Sequence, residues 1–340
     1  MEKCISLKER IEVNFNKMEK NIEPSIPINM LLEVTNACNH NCIFCANSKS
    51  TRKLQFINSQ FAERVIKEAY ELGTREIGFY STGEPLLNNN LEQYIKKAKE
   101  IGYDYTYITT NGALLNRERA ESLVNSGIDS IKFSINSAKR ENYKLIHGKD
   151  DYEKVYSNLK YLFEFREKNK LDFKIFISCI LTRYTIEEKQ LLREKFGQFS
   201  DEIIFLECKN QCGVMYEVND RLTINRIEQK DICPLPFNKI HITCEGYLTA
   251  CCADFQNYLA IENLNNTSLR KAWYSDNFKI LRQKHLDKNL DGTLCYNCIN
   301  NINKKIEPIN LKISTPYKLK EFDKSEEIDN RIIEIQNVKI

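Results

Sequence analysis

No stretch of this 340-residue chain approaches the ~18 consecutive apolar residues of a membrane helix. The N-terminus, MEKCISLKERIEVNFNKMEK, is charged throughout and lacks the apolar core of a secretory signal. A cytoplasmic protein with no membrane partner is therefore expected. Charge of one sign is also lacking: 50 Lys and Arg face 47 Asp and Glu. The resulting net charge of +3 gathers no polyanion, so no nucleic acid is expected as a partner. What is present is 42% hydrophobic residues, enough for a packed core, in a length that suits one large domain with a small one or two of middle size.

Thirteen cysteines are many for a reducing compartment, and an odd number is no disulfide framework. Metal binding or catalysis explains them better. They fall unevenly, at 4, 38, 42, 45, 179, 208, 212, 233, 244, 251, 252, 295 and 298. Two groups stand out: Cys-x3-Cys-x2-Cys within ACNHNCIFC (37–45), and the set from 233 to 298.

Short apolar runs alternate with helical patterns along the chain. NMLLEVT, EIGFYST, DYTYITT, SIKFSIN, FKIFISCILT and EIIFLEC read as strands, with helices such as NSQFAERVIKEAYEL, NLEQYIKKAKEIG, RERAESLVNSG, YEKVYSNLKYLFEFREKN and IEEKQLLREKFG between them. This α/β alternation predicts a parallel sheet with helices outside, closed as a barrel or open and doubly wound. The chemical motifs all follow strands: TNACNHNCIFC the first, STGEP the second, TTNG the third and SINS the fourth. They would meet at one rim.

Three thiolates can hold three irons of a four-iron cube and leave the fourth open to a ligand, whereas an electron-transfer cluster usually has four cysteines. A zinc ion is the competing occupant, although three cysteines as its only protein ligands are uncommon. CNHNCIFC resembles the cluster loop of the radical S-adenosylmethionine (SAM) superfamily, and with the other motifs the resemblance spans residues 28 to about 208. It implies a partial (β/α)6 barrel, with Cys38, Cys42 and Cys45 binding a [4Fe–4S] cluster whose free iron is chelated by SAM. It further implies that Phe44 packs near the adenine, that Gly83 and Glu84 of STGEP meet the SAM amino group, and that Ser134 and Asn136 meet its ribose or carboxylate. Arg183 is a further candidate for the carboxylate. Thr82 stands where the family's motif has its first glycine, which puts a contact there in doubt. In that family, one-electron reduction of SAM gives a 5′-deoxyadenosyl radical that takes hydrogen from unactivated carbon, and an external reductant of flavodoxin or ferredoxin type supplies the electron.

The second group supplies Cys233, Cys251, Cys295 and Cys298 as a Cys-x17-Cys pair followed by a Cys-x2-Cys knuckle. This resembles the twitch domain, a reduced SPASM domain, in which the four thiols hold one auxiliary [4Fe–4S] cluster; Gly246-x4-Cys251 fits its signature. Structural zinc is the alternative. No cysteine follows Cys298, so a single auxiliary cluster is expected. If residues 247–253 continue as a strand, Cys252 points away from the face of Cys251 and becomes a thiol held beside a cluster, a candidate hydrogen-atom donor. Cys179 is expected in the core; Cys208 and Cys212 lie where a substrate would, and Cys4 has no assigned role. The implied domains are an N-terminal extension (1–27), the barrel (28–210), the Cys-rich auxiliary domain (211–305) and a charged tail (306–340) that is partly disordered. Only 27 residues precede the first strand, fewer than a leader-binding domain needs, and this favours a small-molecule substrate over a peptide. The auxiliary segment most resembles that of an amino-cyclitol dehydrogenase of the family, so oxidation or epimerisation of a sugar-like metabolite is the expected activity, with peptide modification as the alternative.

Overall fold

The computed structural model describes residues 6–10, 18–215, 221–224 and 232–313; Cys4 and the segment beyond 313 lie outside the described residues. Six parallel strands lie side by side in chain order: β1 (Asn29–Leu32), β2 (Glu76–Gly78), β3 (Tyr105–Thr110), β4 (Ser130–Ser134), β5 (Lys174–Leu181) and β6 (Glu202–Glu207). Helices α1 (Ser59–Glu71), α2 (Leu91–Ile101), α3 (Arg117–Asn125), α4 (Arg140–His147), α5 (Tyr152–Asn169) and α6 (Lys189–Phe196) carry the chain back between them. This is the expected partial (β/α)6 barrel. One helix was not foreseen: α4 precedes α5 in the connection from β4 to β5 and stops at Gly148, whose φ of 69° suits glycine.

Alternation along the strands divides lumen from core. In-register partners share a face, so Ile108, Ile131 and Ile175 form one row, buried under the helices. Tyr107, Ser130 and Lys174 form a row on the opposite, inner face, and Thr109, Lys132 and Phe176 form the next. The helices meet the outer rows with apolar stripes. On α1 these are Phe61, Ala62, Val65, Ile66 and Ala69, each burial contributing about 1–3 kcal/mol, after an N-cap in which Asn58 accepts from the Phe61 amide.

The sheet does not end at the barrel. Strand β7 (Ile240–Ile242) pairs parallel with β1, and β8 (Tyr247–Thr249) and β9 (Ala260–Asn263) follow antiparallel, giving a sheet of nine strands among the described residues. The Cys-rich segment is thereby joined to the open edge of the barrel. At the opposite end of the strands Arg10 stacks on the Tyr105 ring at 3.5 Å and pairs with Glu76 at 2.6 Å. Among the described residues no helix is long and apolar enough to cross a membrane.

Candidate functional site

The four strand-end motifs do meet at one rim. The Glu84 amide donates to the Ala37 carbonyl at 2.8 Å, and the Asn111 side chain donates to that of Asn39 at 2.8 Å. Gly83 sits so close to the cysteine loop that a Cβ there would lie 2.4 Å from the Thr35 carbonyl oxygen and 2.5 Å from that of Ala37. The loop also hangs from the end of α4, through Asn41 N to His147 O at 3.0 Å and Ile43 N to Ile146 O at 2.9 Å.

Within that loop Cys38 is exposed and Cys42 and Cys45 are half-buried. Surrounding protein nevertheless pushes the Cys38 thiol up to about 12. Three thiolates on one loop fit a four-iron cube in which each takes its own iron and the fourth iron stays open.

Behind Cys42 stands a residue that sequence reasoning missed. His147 Nδ1 lies 3.8 Å from the Cys42 sulfur and 3.2 Å from His40 Nδ1, while His40 Nε2 meets Asp151 at 3.1 Å. Burial pulls His40 below the usual histidine range despite Asp151. His40, Cys42 and His147 crowd closely enough to hold an ion by themselves, but His147 is already engaged: it stacks on Tyr143 at 3.9 Å and meets the Asn136 side chain at 3.2 Å. Asn136, expected at SAM, also accepts from the Ile180 amide at 2.8 Å and so ties β5 to this histidine. The signal for His147 was the apolar spacing of Tyr143, Leu145 and Ile146 ahead of Gly148.

The other predicted residues fall as follows. Glu84 is buried and accepts from Thr110 Oγ1 at 2.6 Å, Asn111 N at 2.8 Å and Leu86 N at 3.1 Å. A carboxylate offers about four acceptor positions, so one is left for a ligand. Burial pushes its carboxyl up to about 7, against these bonds. Phe44 is buried in a small apolar cluster with Ile43, Ile146, Cys208 and Phe255, and Cys179 lies in the main core. Ser134 is half-buried on the inner face of β4, in register with Ser178. Arg183 is exposed and its Nε donates to the Thr223 carbonyl at 3.1 Å.

The second group gathers more thiols than foreseen. Cys251 lies among Cys212, Cys233, Cys252 and Cys298, and Cys295 faces Cys233, Cys251 and Cys298. Hydrogen bonds from Cys212 and Cys252 hold Cys251 down to about 6, against burial. Cys212 reaches this place on a turn in which Gln211, Cys212 and Gly213 all have positive φ. The turn is pinned to the helix Leu294–Asn300: Asn210 Nδ2 donates to the Cys298 carbonyl at 3.3 Å and to Asn301 Oδ1 at 2.8 Å, and a Cβ on Gly213 would strike Asn297. The expectation for Cys252 needs correction. Strand β8 stops at Thr249, so no strand alternation separates Cys252 from Cys251, and the two thiols touch. Cys252 also faces His241, and contact with Cys251 together with burial pushes it up to about 12, which keeps its sulfur protonated.

A barrel with an open three-thiol loop on its rim, extended by a thiol-rich sheet, defines a class of iron–sulfur protein. Residues 32–194 match the Radical SAM superfamily and residues 233–299 match the SPASM iron-sulfur cluster-binding domain. The chain belongs to the radical SAM superfamily and carries a C-terminal SPASM domain, so its cofactors are SAM, a [4Fe–4S] cluster and auxiliary iron–sulfur. An uncharacterized protein of Methanocaldococcus jannaschii is 30% identical over 57% of this chain and 60% of its own length. The GTP 3′,8-cyclase of Chlorobaculum tepidum is 33% identical over 36% of this chain and 37% of its own length. The chain thus spans less than two thirds of either relative. Among solved structures, BtrN in complex with AdoMet and 2-DOIA is similar with a TM-score of 0.57 at 20% identity, over 84% of this chain and 99% of that one. Streptococcus suis SuiB bound to the precursor peptide SuiA is similar with a TM-score of 0.62 at 17% identity, over 86% and 74%. At these identities the likeness is one of fold.

Proposed function

We propose that this protein is a radical SAM oxidoreductase, a dehydrogenase or an epimerase, acting on a polyhydroxylated, sugar-like metabolite in the barrel lumen. Cys38, Cys42 and Cys45 would hold the cluster that binds SAM, and thiols of the set around Cys251 a second [4Fe–4S] cluster. When bound, SAM and its cluster supply a one-electron cleavage of the sulfonium and, through it, abstraction of hydrogen from a substrate carbon, given an external one-electron reductant.

The observation that carries the substrate class is the lumen wall. A cavity of about 150 Å³ runs from the Arg10 and Glu76 end of the strands inward to Thr109 and Tyr80, and its apolar wall of Ile108, Phe176 and Leu235 is interrupted by Tyr80, Tyr107, Thr109, Ser130, Asn29 and Asn238. Apolar walls with a few polar groups suit a ring that carries hydroxyls. The chain's own part is to orient that ring and keep water from it.

Cys252 separates the two outcomes. Its thiol lies near Lys132 and Tyr80 of the lumen wall, and it stays protonated. An S–H bond is weaker than most C–H bonds, so this thiol can return a hydrogen atom to the opposite face of a substrate carbon. As an epimerase the protein would place one solvent deuterium in its product in D2O, and Cys252→Ser would abolish product while 5′-deoxyadenosine still forms. As a dehydrogenase it would give a ketone two hydrogens lighter, with Cys252→Ser nearly silent. A product of unchanged mass without solvent deuterium contradicts both. The second reading, a peptide-modifying enzyme, draws on the fold likeness to SuiB and would show as tight binding of a precursor peptide.

A further inference from the structure

The lumen carries more positive charge than its own side chains neutralise. Lys132 projects inward from the middle of β4, in the row with Thr109 and Phe176. Among the described residues its ammonium makes no ion pair, and the ring nearest to it is that of Tyr80, 6.0 Å away. Lys239, just before β7, lines the same cavity and likewise has no acidic partner among the described residues. The carboxylate in the wall is Glu76, and it is taken by Arg10 at 2.6 Å and by Asn29 at 2.8 Å.

Neutral polar groups lie beside these two ammoniums. His241 is in register with Leu31 of β1, is 2% exposed and faces the Cys252 thiol. The Thr109 hydroxyl lies in the cavity wall beside Tyr80. Two neighbouring half-buried ammoniums without a counter-charge are costly unless something completes them. The strain is visible at Lys132, where burial first and the charge of Lys239 second pull the amine down to about 8.

We infer that the lumen binds its substrate through an oxyanion, a carboxylate or a phosphate ester, held between Lys132 and Lys239 with the Thr109 hydroxyl beside them. This rests on the reading of the lumen as the substrate site and narrows it: the metabolite is an acidic sugar or a sugar phosphate. An amino sugar would bring another cation to a place that already has two uncompensated ones.

The test uses the anaerobically reconstituted protein with SAM and four probes: glucose 6-phosphate, glucuronate, glucose and glucosamine. Binding is followed by calorimetry. At least one of the two anions should bind ten-fold or more tightly than glucose and glucosamine, and which one does so separates phosphate from carboxylate. Lys132→Gln and Lys239→Gln should each weaken that anion ten-fold or more, while Lys132→Arg retains it. Acetylation of Lys132, read by mass spectrometry of wild-type protein, should be slowed by the same anion, a check that needs no variant to fold. Equal affinity for glucose or glucosamine, anion binding indifferent to both Gln variants, or no anion binding and no protection overturns the inference. Wild-type protein that makes no 5′-deoxyadenosine from SAM and dithionite would instead sink the radical reading, whatever the probes do.

Discussion

Replacing Arg52 by methionine is expected to loosen the auxiliary sheet from the barrel, and the cost follows from the contacts. The guanidinium lies between Glu33, just after β1, and Glu245, in the turn from β7 to β8. It donates to Glu245 at 2.7 and 2.5 Å and to both oxygens of Glu33, one at 3.3 Å. Arg52 and Glu33 side chains are 3% and 2% exposed and Glu245 is 16% exposed, so little water screens the group. Glu33, Cys244 and Glu245 crowd closely enough for a cation, and the guanidinium already supplies it. Removing one partner of a buried pair costs about 3–5 kcal/mol because the other charge is left behind. Glu33 keeps bonds from the Cys244 amide at 3.1 Å and from Thr82, and Glu245 stays in reach of Asn257, which places the cost at the lower end, near 3 kcal/mol. At ~2 °C for each kcal/mol in a chain of this size, anaerobic thermal unfolding should show a Tm lower by about 6 °C. Adding Glu33→Gln should recover part of the loss, since the stranded charge is then gone. Burial works to raise the Glu245 carboxyl, but Arg52 holds it below the usual range. Its share of the stability is therefore full above ~4.3 and lost as pH falls through the lowered value, so the gap between wild type and Arg52→Met should narrow in acid. A Tm within 1 °C of wild type at neutral pH, or a double variant less stable than Arg52→Met, would refute the reasoning.

Reconstituted protein should hold about eight irons if both clusters are cubes; replacing Cys38, Cys42 and Cys45 by alanine should remove half and end SAM cleavage, and stoichiometric zinc without iron would contradict it. In that triple variant, adding Cys212→Ser should change the electron paramagnetic resonance of the remaining cluster, whereas adding Cys208→Ser should not; identical spectra would show that Cys212 is no ligand. Gly83→Ala should cost the barrel's cluster more than the auxiliary one, because a Cβ 2.4 Å from the Thr35 carbonyl pushes the cysteine loop away; full iron content in the variant would count against this. Glu84 has its pKa raised to about 7, so the folded state holds a proton between ~4.3 and 7 that the unfolded chain releases, and stability falls as pH rises through that window. Binding of SAM, whose ammonium favours the carboxylate, should strengthen over the same range in wild type and not in Glu84→Gln; parallel pH profiles would remove the role.

The parts legible in the sequence were those whose signal is local. Strand and helix periods gave all six barrel strands, because one buried and one lumen face force alternation in stretches such as Tyr105–Thr110. The three loop cysteines were legible from spacing alone, since a loop of eight residues can bring its thiols to one cluster without help from the rest of the chain. Cys212 was not. It joins Cys251 and Cys298 through three successive positive-φ residues and a helix some eighty positions away, a meeting that no spacing rule anticipates. His147 was hidden differently: α4 is short and has no side-chain N-cap, so little in the sequence marks it. Lys132 shows the remaining gap. In SIKFS it reads as the polar half of an ordinary amphipathic strand, and a solvated lysine is what that pattern usually means. Only closure of the sheet turns that face inward, so that a residue with nothing unusual in its sequence context becomes an unpaired cation in the lumen. Side chains on the inner face of a barrel strand look like surface until the curvature of the sheet is known, and for that reason the substrate end of this site was the last part to emerge.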